Sequence, residues 1–80
     1  MPVIFRWEEI RFHFFSNEGN PREPIHVHAQ RADAEAKIWL YPEAAIADSE
    51  GFTRRELSQL LRVVEQNKAL IEEAWHGHFR

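Results

Sequence analysis

Apolar and polar positions alternate along the first half of this chain and then change to a helical spacing. In Pro24-Ile25-His26-Val27-His28-Ala29-Gln30 the residues Ile25, Val27 and Ala29 interleave with His26 and His28. Side chains of a strand point alternately to its two faces, so the two histidines share one face and the apolar trio the other. The alternation returns from Ala34 to Tyr41, with Ala34, Ala36, Ile38 and Leu40 on one side and Glu35, Lys37, Trp39 and Tyr41 on the other. Upstream, Val3-Ile4-Phe5-Arg6-Trp7 is short, bulky and β-branched, which reads as a strand. Glu8-Glu9 separates it from Ile10-Arg11-Phe12-His13-Phe14-Phe15, and two intervening residues predict a hairpin. In that second strand Ile10, Phe12 and Phe14 share one face, and Arg11, His13 and Phe15 the other.

Between these runs, Ser16 to Pro24 has the composition of a loop, and Arg31-Ala32-Asp33 that of a turn. Pro42 ends the last strand. Glu43 to Asp48, rich in alanine, predicts a turn or two of helix, broken at Ser49-Glu50-Gly51. Thr53 with Glu56 three residues on forms a capping box, and Phe52 before it can pack on Leu57 as a hydrophobic staple. From Arg54 to about His76 the apolar residues Leu57, Leu60, Leu61, Val64, Ile71, Ala74 and Trp75 form a stripe of 3.6-residue period, interrupted at Asn67-Lys68. Gly77 is placed to end the helix. The pattern predicts an α+β domain spanning residues 1–80. Three or four antiparallel strands within 3–41, in meander order, are packed on one face by a long helix over about 54–76.

Composition narrows this picture. Eighty residues with no cysteine have neither disulfides nor thiolate metal sites to staple a small core, so packing, a histidine- and carboxylate-held metal, or a second subunit must help. A homo-oligomer, most simply a dimer, is therefore expected. The net charge of -3 excludes a basic nucleic-acid coat and confines any RNA contact to a local patch. No window approaches the ~18 apolar residues of a membrane span, and the start of the chain does not have the pattern of a signal peptide. A cytoplasmic location, away from membranes, is the expectation.

The candidate chemistry lies on the face the helix leaves open. That face collects Arg11, His13, Phe15, His26, His28, Gln30, Glu35, Lys37, Trp39 and Tyr41, where a bare solvated sheet would carry Thr, Lys, Glu and Ser. Four readings compete. His26 and His28 can hold Zn2+ or another divalent metal, with His13 or Glu35 as a third ligand. Alternatively, with no cofactor, His26 and His28 act as general base and acid on RNA. Lys37 and Arg11 then offset phosphate charge, Glu35 orients a histidine, and Trp39, Tyr41 and Phe15 stack bases. The aromatic and charged residues also suit a protein interface, in which Trp39 and Tyr41 would be anchors. In the fourth reading the histidines are half-buried polar residues without chemistry. His76 and His78, at the end of the helix, suit its dipole, whereas Arg54 and Arg55 oppose it at the start.

Several segments, taken together, resemble one known family. They are Met1-Pro2-Val3-Ile4, Arg11-Phe12-His13-Phe14-Phe15-Ser16-Asn17-Glu18, Pro24-Ile25-His26-Val27-His28, Glu35-Ala36-Lys37-Ile38-Trp39-Leu40, and Glu73-Ala74-Trp75-His76 with Phe79. In order and spacing they are similar to the bacterial family called domain of unknown function 4160. The resemblance implies a small bacterial protein encoded beside another small, antitoxin-like protein, and so a toxin-like role in a two-gene toxin–antitoxin-type module. It marks His26, His28, Glu35 and Lys37 as the family-like positions. The sequence departs from the family in having Glu8-Glu9 at a first turn that more often contains glycine. It also has Glu23-Pro24 where Pro-Pro more often precedes the two histidines. Toxin-like RNA binding or cleavage, a divalent-metal site and a non-catalytic interaction module are the functions to be weighed.

Overall fold

The computed structural model describes residues 3–15 and 23–78. The expected loop from Ser16 falls largely outside the described residues. Five strands form one antiparallel sheet: β1 (Val3–Trp7), β2 (Ile10–His13), β3 (His26–Arg31), β4 (Ala34–Trp39) and β5 (Ala45–Glu50). Their spatial order is their order in the chain, a plain meander. Two helices follow, α1 (Arg54–Gln66) and α2 (Lys68–His78). No helix among the described residues is long and apolar enough to cross a membrane.

The hairpins are as tight as the spacing predicts. Trp7 pairs with Ile10 around Glu8-Glu9, and Glu8 supplies the left-handed backbone (φ 57°) that a glycine would ordinarily provide. Arg31 pairs with Ala34 around Ala32-Asp33, with Ala32 at φ 52°. The β3–β4 ladder then runs unbroken back to His26 opposite Trp39.

The apolar alternation faces the helices as expected. Ile10, Phe12, Phe14, Val27, Ala29, Ala36, Ile38 and Leu40 are buried from the sheet side, and Ile25 is half-buried against them. Leu60, Val64, Ile71 and Trp75 meet them from the helices, joined by Val63, which the predicted stripe omits. Leu57, Leu61, Ala74 and Phe52 pack around the margin.

Two elements differ from the expectation. Residues 45–50 form β5 and not a helix, giving five strands where three or four were expected. Alanine favours a helix by only a few tenths of a kcal/mol per residue over most alternatives. Pairing with β4 supplies a ladder from Glu35 opposite Glu50 to Trp39 opposite Ala45, and it sets half-buried Ile46 beside Ile38. The expected single helix is two. At Asn67 the backbone N–H is shared between the carbonyls of Val63 and Val64, both at 3.1 Å, and the side-chain amide donates to Val63 O at 2.8 Å. The break coincides with the gap in the apolar stripe. Gly77 does not end α2, which continues through it to His78, and a β-carbon there would meet open space.

Candidate functional site

The sheet register decides which polar residues stand together on the open face. One transverse row reads Arg6, Arg11, Gln30, Glu35, Glu50, one residue from each of β1 to β5 in turn. The next row reads Val3, His13, His28, Lys37, Asp48. Beyond it, His26 stands opposite Trp39 at the end of the sheet. Of the residues that the alternation expects on this face, His13, His28, Arg11, Glu35 and Lys37 stand in these two rows with Trp39 beside them, whereas His26, at the strand end, is enclosed beneath α2 against Trp75 and is not part of the open surface.

The three imidazoles form a line. His28 is central, with ring centroids 5.8 Å from His13 and 5.3 Å from His26. Phe15 closes over it, 4.5 Å from His28 and 5.0 Å from His13. Access differs sharply along that line. His26 is 0% exposed and His13 is 3% exposed, whereas His28 is half-buried. His26 sits where the sheet ends beneath α2, 5.4 Å from Trp39 and 5.2 Å from Trp75, and its Nδ1 donates to Pro24 O at 3.0 Å. The His13 imidazole is held below its usual pKa, first by burial and then by the neighbouring His28.

The charged residues are also placed. Lys37 donates to Glu23 Oε1 at 2.8 Å and lies 4.6 Å over the Trp39 ring, so its ammonium is already engaged. Glu35 is exposed and makes no hydrogen bond to a histidine among the described residues. It lines a shallow cleft with Phe15, His28, Lys37, Asp48 and Glu50. Tyr41 is not on the open face: its hydroxyl donates to Glu72 of α2, which holds the phenol above its usual pKa, and Lys68 lies 4.6 Å over its ring. The alternation that placed it with Trp39 stops when β4 ends at Trp39. Among the described residues, no three His, Cys, Asp or Glu side chains are grouped to hold a metal ion.

Sequence reasoning missed Arg6, Asp48 and Glu50. Arg6 was visible as a strand residue, but only the β1–β2 register puts it directly opposite Arg11. Asp48 was hidden by the helical reading of Glu43 to Asp48, and Glu50 by the reading of Ser49-Glu50-Gly51 as a break. Together they make the face electrically graded. Arg6 beside Arg11 and Glu35 beside Glu50 are like-charge neighbours across adjacent strands, an arrangement that is unfavourable in the isolated sheet.

A family model described as "Domain of unknown function (DUF4160)" matches residues 10–76 of the chain. The matched span runs from the start of β2 into α2 and includes His13, His26, His28, Glu35, Lys37 and Trp39. The protein belongs to this family. No curated protein and no solved structure matches it.

Proposed function

We propose that this protein is a non-catalytic, protein-binding component of a two-gene, toxin–antitoxin-type module in the bacterial cytoplasm, and that it docks through the open face of its sheet. The observation that carries this reading is the burial of His13 and His26, which leaves His28 as the single accessible imidazole on the face. A general base and acid must each come within about 3 Å of the proton they move. An enclosed His26 has no such access to an RNA hydroxyl. Lys37 is engaged by Glu23 and Trp39, and the β4–β5 side of the face is acidic, which repels a phosphate backbone. What reaches solvent is a mixed-charge surface with aromatic edges from Phe15 and Trp39, the composition of a protein interface.

A second reading keeps the toxin-like RNA chemistry, centred on His28 alone. It is favoured by the placement of Lys37 directly opposite His28 in the β3–β4 ladder, with Phe15 beside them as a stacking surface. Purified protein incubated with RNA, wild type beside His28→Ala and each with and without chelator, separates the two. The docking reading expects no cleavage under any condition. It also expects the neighbouring gene product to copurify with the wild type and to be lost with Trp39→Ala, a substitution of the anchor type that typically costs about 2 kcal/mol or more of binding. Cleavage that disappears in His28→Ala replaces docking by catalysis. Cleavage abolished by chelator turns the histidines into metal ligands.

A further inference from the structure

The transverse row of the open face is antisymmetric in charge about the central strand. On one side of Gln30 stand Arg6 and Arg11, and on the other Glu35 and Glu50, so the row reads plus, plus, neutral, minus, minus. Among the described residues none of these four charges is engaged in an ion pair. Strands are about 4.8 Å apart, so the outer charges stand roughly 10 Å and the inner ones roughly 5 Å to either side of β3.

A partner of one sign fits only half of this row. Nucleic acid, an acidic peptide or a basic peptide would each be attracted at one end and repelled at the other. A second copy of the chain fits both halves at once. A two-fold axis running along β3, between two sheets laid face to face, leaves Gln30 opposite Gln30 and carries the arginine side of one copy onto the glutamate side of the other. Arg11 then meets Glu35 and Arg6 meets Glu50, each contact occurring twice because the interface is isologous. The two like-charge neighbours of the isolated sheet become a network of alternating sign. Sheets stacked face to face with strands nearly aligned are an ordinary packing for twisted sheets. Phe15 and Trp39, partly exposed beside the row, supply the apolar contact that the charges orient.

We infer that the open sheet face is a self-complementary surface on which a second copy of this chain docks about a two-fold axis parallel to β3, pairing Arg6 and Arg11 with Glu50 and Glu35 of the other copy. This rests on the reading of that face as a protein-docking surface and names a second copy as what covers it when the chain is alone, so that the neighbouring gene product would compete with self-association for the same face. The interface is modest in width, so the dimer is expected to be weak and to loosen as salt is raised.

Sedimentation velocity on wild type, Arg11→Glu, Glu35→Arg and an equimolar mixture of the two variants tests the inference. The wild type is expected to dimerise at low salt. Each variant alone sets like charges against each other at both symmetry-related contacts, and its self-association should fall roughly 100-fold or more. In the mixture the exchanged charges at positions 11 and 35 complement each other in both places, so a heterodimer should form. Each substitution also relieves a like-charge neighbour within its own sheet, so the monomers should keep the wild-type circular dichroism and loss of folding does not mimic the result. A wild type that stays monomeric at low salt and millimolar concentration overturns the inference. So do variants that dimerise as well as wild type, or a mixture that fails to recover. Cleavage of RNA dependent on His28 would instead overturn the docking reading itself, whatever the mass. A monomer that cleaves no RNA leaves docking standing and removes only this occupant.

Discussion

His13 shows how one buried side chain ties the open face to folding. It is almost fully enclosed beside His28 and Phe15, and its pKa is lowered mainly by burial, with His28 and Arg11 adding unfavourable charge. Contacts with the Phe14 backbone and the Gln30 side chain oppose this only in part. A histidine whose folded pKa lies below its unfolded value binds fewer protons folded than unfolded as the pH falls through the ordinary histidine range. Stability is then fully present above about pH 6.5 and is lost as the solution is acidified toward the folded pKa. Urea midpoints should therefore drop between about pH 7.5 and pH 5.5, and the drop should be smaller in His13→Phe. Equal slopes in the two proteins would show that His13 does not carry the effect. The carboxylates act in a separate window. Glu56 is held below its usual pKa by the Thr53 backbone and then by Arg31, so what it contributes is lost only as the pH falls below about 4.5.

At the scale of elements, the entry to α1 is the most strongly specified point in the chain. Thr53 Oγ1 accepts from Glu56 N at 3.1 Å, and Glu56 Oε1 accepts from Thr53 N at 2.8 Å. Glu56 also binds Arg31 at 2.5 Å, which links the helix start to the end of β3, while Arg31 lies 5.3 Å over the Phe52 ring. Just before the cap, Gly51 takes φ 92°, and a β-carbon there would come within 2.9 Å of Ala34 Cα. Thr53→Ala should cost about 1 kcal/mol in denaturant titrations. Gly51→Ala should cost more than that, because left-handed strain and a backbone clash act together. A Gly51→Ala protein as stable as wild type would mean that the β5–α1 connection can shift. The capping box was legible in the sequence because it is local: two residues at fixed spacing satisfy each other. The same holds for the two-residue hairpins and for the alternation that fixes the facing of β2, β3 and β4. Strand β5 was not legible, because Ala45 to Glu50 becomes a strand only through an exposed edge of β4 that the local sequence does not display. Asp48 and Glu50 were lost from the site for the same reason. Arg6 was lost because a charge pair across strands is a property of register, not of spacing along the chain.

At the scale of the whole molecule, the helix layer is divided at Asn67 but the core is not. Leu60, Val63 and Val64 of α1 and Ile71 and Trp75 of α2 are buried in a single apolar cluster with Phe12, Phe14, Ile38 and Leu40 of the sheet. Phe14 stacks edge-on against Trp75 at 5.2 Å, so α2 is anchored to the same sheet that α1 covers. Glu65 ties α1 to the segment leading into β5, accepting from Ala44 N at 2.6 Å, and Tyr41 ties the exit of β4 to Glu72 of α2. A domain of this length has roughly 4–12 kcal/mol of stability in total, while removing a fully buried leucine or isoleucine side chain to alanine typically costs 2–5 kcal/mol. Leu60→Ala and Ile71→Ala should therefore each take a large share of the stability. Because the cluster is shared, both should do so through one transition, and α2 should not melt ahead of α1. Urea unfolding followed by far-ultraviolet circular dichroism and by tryptophan fluorescence, which includes Trp75, should give coincident midpoints in wild type and in both variants. If Ile71→Ala separates the two signals while Leu60→Ala lowers them together, then α2 is an independently docked element and the break at Asn67 divides the molecule energetically as well as in its backbone.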